Sequence, residues 1–387
     1  MKILITTPFF QFAGGSELET IHTANAFASF LEVKEVHVFV AGEFNLDFTK
    51  DIFIDNKVKF FKRPDFFTSK YIKRINKELK KRLNLDMFPF DALYWRFKCL
   101  SRFDKLYIIT KTSLAKDYIP LIKVWKCKDN IVVKYTTVFF DRLENKTLKY
   151  LSQIRYNIVT SEKQKDFFVQ NLNLENTTTQ EVLIFNENYC LSKKRTYKDK
   201  KLYDFGILGR YSKEKQFEHA INLIANLRKE GYRSTLIIKG GSSEDYYQKI
   251  LKLVEEKELQ DLITLDFGEV PYNKAYDFFD NLNCFLITSE YEGGPNVALE
   301  VMAYGLPILS YDVGAMRDRL VDFPELIAID QESLTEKAIE IISYKDSVFL
   351  EKCTDLKEKY ITKYSNEIKI SFLKEFVSSN SILNNYC

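Results

Sequence analysis

Between residues 283 and 318 the chain alternates apolar runs with glycine and proline so regularly that few backbone paths accommodate it. Cys284, Phe285, Leu286 and Ile287 form an uninterrupted apolar run of strand length, the pattern of a strand covered on both faces. Glu292, Gly293 and Gly294 then require a loop, and Pro295, which has no amide hydrogen, suits the first turn of a helix over 295–304. Gly305 provides the stop, and Ile308, Leu309 and Ser310 resume a buried strand after Pro307. Strand, glycine-rich loop, helix and strand in this order make the chain an α/β protein.

The same stretch carries chemistry. Glycines let backbone approach a ligand, and the free amides at a helix start, at its positive dipole end, favour an anion such as phosphate. Glu292 lies in the loop and Glu300 in the helix, seven residues between them. Counted from Pro295, Glu300 comes after about one and a half turns, so it can point back past the helix mouth. A carboxylate accepts hydrogen bonds from adjacent hydroxyls, so one Glu near each end of a nucleotide-sugar makes chemical sense.

Two other segments repeat the design. Residues 3–7 read as a first strand, followed by Gly14, Gly15, Ser16 and Glu17 at the start of a helical pattern running to Phe30. Glu17 reads as a partner of the helix dipole in the first turn. Residues 203–217 give a strand ending at Gly209, then Arg210 and Lys215 in the loop before the next helix. A guanidinium fork and an ammonium point charge would together neutralise a diphosphate. Residues 234–239 end in Gly240 and Gly241, a further strand with a glycine turn. Taken singly, Arg210 and Lys215 would be solvated cations, Glu292 a loop charge and Glu300 an exposed helical charge; it is their joint occurrence that marks a site.

The run E-G-G-P-N-V-A-L-E-V-M-A-Y-G-L-P-I-L resembles the E-x7-E signature of the retaining glycosyltransferases of family 4, with the P-N-V variant and the usual M-A-x-G-x-P after it. G-R-Y-S-K-E-K resembles the family's G-R-x-x-x-x-K, and G-G-S-E its G-G-x-E. The resemblance spans most of the chain, strongest over 203–319 and weakest over 44–156. It implies the GT-B architecture: two Rossmann-like, doubly wound domains facing across a cleft, the ligand at the carboxyl ends of the strands. It also implies transfer of a sugar from a nucleotide-sugar donor to a hydroxyl of a glycan or lipid-linked acceptor, with retention and without bound metal or other cofactor. Arg210, Lys215 and the helix start at Pro295 would stabilise the leaving diphosphate. Glu292 would meet the donor hexose without acting as a nucleophile, and Glu300 the ribose. Gly14, Gly15, Gly240, Gly294, Asn296 and Val297 would line the substrates. Many members end the strand equivalent to 131–137 in a His that contacts the donor sugar. Here Thr136, Thr137, Val138, Phe139, Phe140 and Asp141 stand in its place, leaving Asp141 or Thr137 as the substitute.

With 387 residues the chain accommodates two domains. We place an acceptor-side domain at 1–192, a linker at 193–202 where charge runs without periodicity, a donor-binding domain at 203–359, and a last helix within 360–387 that crosses back. Residues 182–186 read as the last strand of the first domain. A net charge of +3 gives no case for nucleic acid. Six scattered cysteines without a C-x-x-C pair argue against a zinc site and suit a reducing cytosol. No apolar run reaches the roughly 18 residues of a membrane span, so the expected location is cytoplasmic. His22, His37 and His219 read as structural or idle.

The segment over 70–83 breaks the alternation. Ile72, Ile75, Leu79 and Leu83 fall on one helical face, and Lys70, Lys73, Arg74, Lys77, Lys80, Lys81 and Arg82 surround them. It reads either as a solvated helix packed on its domain or as a peripheral contact with an anionic membrane. Two other readings compete with the transferase. An inactive nucleotide-sugar-binding or scaffold protein of the same fold would explain the missing His, whereas a dinucleotide oxidoreductase lacks its G-x-G-x-x-G after residues 3–7.

Overall fold

Strand β1, Lys2–Thr7, sends alternate side chains into two different cores. Ile3 and Ile5 join Phe27, Val36, Val38 and Phe376 in one apolar cluster, and Leu4 joins Phe39, Leu106, Ile108 and Tyr135 in the other. A pleated strand covered on both faces has this period of two, which is why residues 3–5 are all aliphatic. Around β1 lie β2 (Glu35–Val40), β3 (Val58–Lys62), β4 (Lys105–Lys111), β5 (Ile131–Thr137), β6 (Tyr156–Val159) and β7 (Thr177–Thr179). They form one parallel sheet in the order β3-β2-β1-β4-β5-β6-β7. Helices Gly15–Ser29 and Asn366–Ser378 supply side chains to the first core, and Ile119–Val124 and Asn145–Leu151 to the second.

The computed structural model describes the chain except residues 12–13, 51, 63, 65, 67–68, 83–88, 99–101, 142, 185, 195–201, 269, 271–274 and 380–387. The greater part of the expected linker at 193–202, the Leu83 end of the basic helix and the end of the chain therefore lie outside the described residues.

Two compact units result, Met1–Leu183 with Glu367–Cys387, and Ile184–Asn366. The first boundary falls ahead of residue 192 because helix Glu187–Ser192 packs on helix Asn296–Tyr304 of the second unit. The other falls after residue 359: the wide turns of Tyr360–Tyr364 prolong helix Asp346–Lys359, and Tyr360 Oη donates to Glu187 at 2.8 Å.

The second unit is built on β8 (Tyr203–Leu208), β9 (Leu236–Gly240), β10 (Ile263–Phe267), β11 (Leu282–Ile287), β12 (Ile308–Tyr311) and β13 (Ile327–Ala328). All pair in parallel, in the order β10-β9-β8-β11-β12-β13. Every residue of β11 is buried, as its apolar run requires. The chain runs outward from β8 through β9 to β10, then returns to place β11 on the other side of β8. Such a reversal opens a crevice at the carboxyl ends of the two central strands.

Two expectations are corrected. No strand forms over the described part of 182–186; β7 at Thr177–Thr179 is the edge of the sheet. The Asn366 side chain takes both backbone groups of Ile184, accepting from its amide at 3.0 Å and donating to its carbonyl at 2.7 Å, so no ladder partner is needed. The helix expected from 295 begins at Asn296, with Pro295 as its cap residue at ψ 115°, outside helical geometry. On the basic helix Lys70–Arg82, Ile72 and Asn76 are buried, while Tyr71, Lys73, Arg74, Lys77, Lys81 and Arg82 are exposed. Its apolar stripe therefore turns toward its own unit and its cations toward solvent. Among the described residues no helix is long and apolar enough to cross a membrane.

Candidate functional site

The reversal between β8 and β11 sets two loops side by side, Gly209–Gln216 and Thr288–Pro295. Backbone and side chain lock them together: the Glu290 amide donates to the Glu214 carbonyl at 2.8 Å, and Thr288 Oγ1 donates to the Lys215 carbonyl at 2.8 Å. Lys215 Nζ donates to Glu292 Oε1 in a short ion pair, and Ser289 Oγ donates to the same oxygen at 2.9 Å. Both charged side chains are largely buried, Lys215 at 22% and Glu292 at 16% exposure, so solvent screens the pair only partly. Arg210 stays at the rim, 55% exposed and 3.6 Å from Glu214.

Loop conformation is dictated by close backbone approach. Gly240, at the end of β9, has φ +150°, and a Cβ there would lie 1.9 Å from the Gly209 carbonyl oxygen, so only glycine fits. Gly314, with φ +56°, packs its backbone on the loop of Glu292, and a Cβ would come within 2.6 Å of the Gly293 oxygen. Tyr211 is fully buried next to Arg210, its hydroxyl donating to the Ile238 carbonyl at 3.0 Å. Phe217, Tyr247 and Phe267 meet its ring edge to face.

Helix Asn296–Tyr304 opens at this loop, with Gly294, Asn296 and Val297 half-buried at its mouth. Gly305 closes it in the left-handed conformation, φ +75°. Glu300 is only 8% exposed, which excludes the exposed helical charge. Tyr276 Oη donates to it at 3.4 Å. Lys215 and Glu292 are thus brought into contact, whereas Glu300 meets Tyr276. In the other unit, Gly14 caps helix Gly15–Ser29, just beyond the carboxyl end of β1. Glu17 is in the first turn, buried and hydrogen-bonded by Ser16 Oγ at 2.8 Å. Thr137 ends β5, and Asp141 is exposed in the segment after it.

Several supporting residues are not evident from the motifs. Arg319 is fully buried, and its Nη1 donates to the Pro295 carbonyl at 2.6 Å, pinning the helix start from behind. His219 is not idle: its Nδ1 lies 2.7 Å from Tyr311 Oη, and its carbonyl accepts from Gln331 Nε2 at 3.2 Å. Burial pushes the Tyr311 hydroxyl up to about 12, from an ordinary value of 10. In the first unit Lys134 Nζ lies 2.8 Å from Glu19 Oε1, both side chains almost wholly buried, and donates to the Glu181 carbonyl at 2.9 Å. A lysine in mid-strand and a glutamate in mid-helix give no sequence signal for that pair. Among the described residues no group of three or more His, Cys, Asp or Glu is placed to hold a metal ion.

Residues 191–362, which take in both loops and the helix, match the family model of glycosyl transferases group 1. Over those residues the chain is similar to the group 1 glycosyl transferases. An uncharacterized glycosyltransferase of Haemophilus influenzae is 24% identical over 325 residues, 81% of each chain. The amylovoran biosynthesis glycosyltransferase AmsD of Erwinia amylovora is 26% identical over 105 residues, 27% of this chain and 28% of its own. Among solved structures, Anabaena HepE in complex with UDP superposes with a TM-score of 0.72 over 98% of this chain and 100% of its own, at 16% identity. The fold is thus the GT-B α/β fold, and within residues 191–362 Arg210, Lys215 and Glu292 lie on the loops of the β8–β11 crevice.

Proposed function

We propose that this group 1 transferase moves a sugar from a nucleotide-sugar to a hydroxyl of a glycan or lipid-linked acceptor, with retention at the anomeric carbon and without a bound metal. The observation that carries the reading is the pairing of Lys215 with Glu292 at the β8–β11 reversal, next to the start of helix Asn296–Tyr304. A cation, a loop free to approach phosphate and a helix N-terminus are the parts needed to stabilise a departing diphosphate. The likeness to HepE, solved with UDP, supports a nucleoside diphosphate as leaving group.

In this reaction the bond from the anomeric carbon to the diphosphate oxygen breaks. Lys215 and Arg210 neutralise the charge that grows on the diphosphate. The acceptor oxygen then bonds to the anomeric carbon on the face just vacated, and its proton passes to the leaving phosphate. Glu292 orients donor hydroxyls, and Glu300 the ribose. The relative named for amylovoran biosynthesis supports an acceptor in surface polysaccharide synthesis. The exposed cations of Lys70–Arg82 would then meet anionic headgroups chiefly by charge, since Ile72 is buried and Ile75 and Leu79 are half-buried.

Thermal unfolding with UDP, GDP, ADP and their sugar conjugates, in EDTA, tests the reading on wild type and Glu300→Ala. A ligand that binds only the folded state raises the Tm. One nucleotide should stabilise wild type and lose most of that effect in the variant. The proposal is overturned if no nucleotide shifts a well-folded wild type, and its metal independence if the shift appears only after divalent metal replaces EDTA.

A further inference from the structure

Two hydroxyls stand side by side just beyond the carboxyl end of β11, and each engages one member of the Lys215–Glu292 pair. Thr288 Oγ1 holds the Lys215 backbone carbonyl, and Ser289 Oγ donates to Glu292 Oε1 at 2.9 Å. Both residues are buried, so water competes little for either bond. Lys215 Nζ donates to that same Oε1. The other carboxylate oxygen, Oε2, accepts no hydrogen bond among the described residues. One oxygen of Glu292 is therefore occupied from within the protein, and one is left for a ligand.

A carboxylate oxygen offers about two acceptor sites, and the bond that turns the carboxylate is a soft rotor with only a broad preference of its own. One donor on Oε1 would leave that rotor loose; a second donor on the same oxygen fixes it. The two donors are not equivalent. The ammonium is drawn to a diphosphate, whereas the Ser289 hydroxyl is neutral, sits on a short side chain at the end of β11, and stays on Oε1 when Lys215 turns to the ligand. We propose that Ser289 is a positioning residue for the transfer: it holds Glu292 by Oε1 so that Oε2 meets the hydroxyls of the donor sugar while the diphosphate departs. The assignment rests on the transferase reading above. A serine that served only the turn would act on the fold of the loop and not on the carboxylate.

Nucleotide release by the full chain separates these roles. Without an acceptor, water takes its place, and breakage of the bond from the anomeric carbon to the diphosphate oxygen frees nucleoside diphosphate. UDP-glucose, UDP-N-acetylglucosamine and GDP-mannose serve as probes with enzyme in excess, calorimetry gives the UDP and GDP affinities, and Tm checks folding. Ser289→Ala, which adds no bulk, should slow release about tenfold while nucleotide affinity stays within about twofold. In a Glu292→Ala background the same substitution should change release by less than about twofold, because its effect passes through the carboxylate. An equal loss in both backgrounds, a fall in nucleotide affinity that matches the fall in rate, or an unchanged rate in Ser289→Ala overturns the assignment. A wild type that binds nucleotide but releases none from any probe also rejects it and leaves the nucleotide site standing; a folded wild type that binds no nucleotide takes the transferase reading down as well.

Discussion

Lys215 Nζ donates to Glu292 Oε1, closing the loop after β8 onto the loop after β11. Each charge is the other's partner, so a diphosphate reaching these loops would compete with Glu292 for the ammonium. Removing the ammonium should therefore cost more than removing the carboxylate in nucleotide affinity. Lys215→Met should weaken UDP binding by about tenfold or more, as loss of a charge-assisted contact implies. Glu292→Gln should bind UDP at least as well as wild type, yet release nucleoside diphosphate from the sugar donor about a hundredfold more slowly. Calorimetry and a nucleotide-release assay separate the two effects. Weaker UDP binding in Glu292→Gln would contradict the competition.

Arg319 lies behind that site. Its guanidinium donates to the Pro295 carbonyl at 2.6 Å from a fully buried position, and nearby Gly314 packs against Gly293. Arg319→Met keeps the bulk but leaves a buried carbonyl short of a donor, worth about 1–3 kcal/mol. The expected result is a lower Tm together with a fall of several-fold in UDP affinity, because the helix mouth loses its anchor. A lower Tm with unchanged UDP affinity would make Arg319 merely structural.

How much of this was legible in the sequence depended on whether a signal was local. The fold was legible because apolar runs of strand length, glycine loops and the proline helix start are local patterns, and β11 is buried at every position that its run implied. Motifs marked Lys215 and Glu292 as residues of one site, but their contact was not legible, since pairing across 77 residues follows from strand order, which no local spacing encodes. Tyr276, Arg319 and the Glu19–Lys134 pair were not legible: each is a single polar residue in an apolar setting, with its partner supplied by tertiary packing. The strand expected at 182–186 failed for a related reason. Val182, Leu183 and Ile184 are buried, but the Asn366 side chain takes the hydrogen bonds of Ile184 that a ladder would have used.

His22 is 9% exposed, and burial holds its pKa down at about 4, against an ordinary value of 6.5. Between those values the unfolded chain binds a proton that the folded chain does not. Stability therefore rises with pH through this window and is lost as pH falls from 6.5 toward 4. The shift corresponds to a loss of about 3 kcal/mol at most. Urea unfolding of wild type at several pH values should show this slope, and His22→Phe should flatten it. An equal slope in the variant would assign the acid sensitivity to other groups.

Glu19 and Lys134 tie helix Gly15–Ser29 to the middle of β5, and this helix carries Gly14 and Gly15 at its start. Neither charge has solvent to fall back on, so breaking the pair from one side strands the other. Glu19→Gln or Lys134→Met alone should cost about 3–5 kcal/mol. Replacing both with apolar residues of similar size, Glu19→Leu with Lys134→Met, removes the desolvation penalty along with the attraction. The double variant should be more stable than either single one, leaving only the Glu181 carbonyl, which Lys134 also bonds at 2.9 Å, without its donor. Chemical denaturation of the four proteins gives the coupling directly. If the double variant loses the sum of the two single losses, the charges act independently, and the pair does not hold the helix against the sheet.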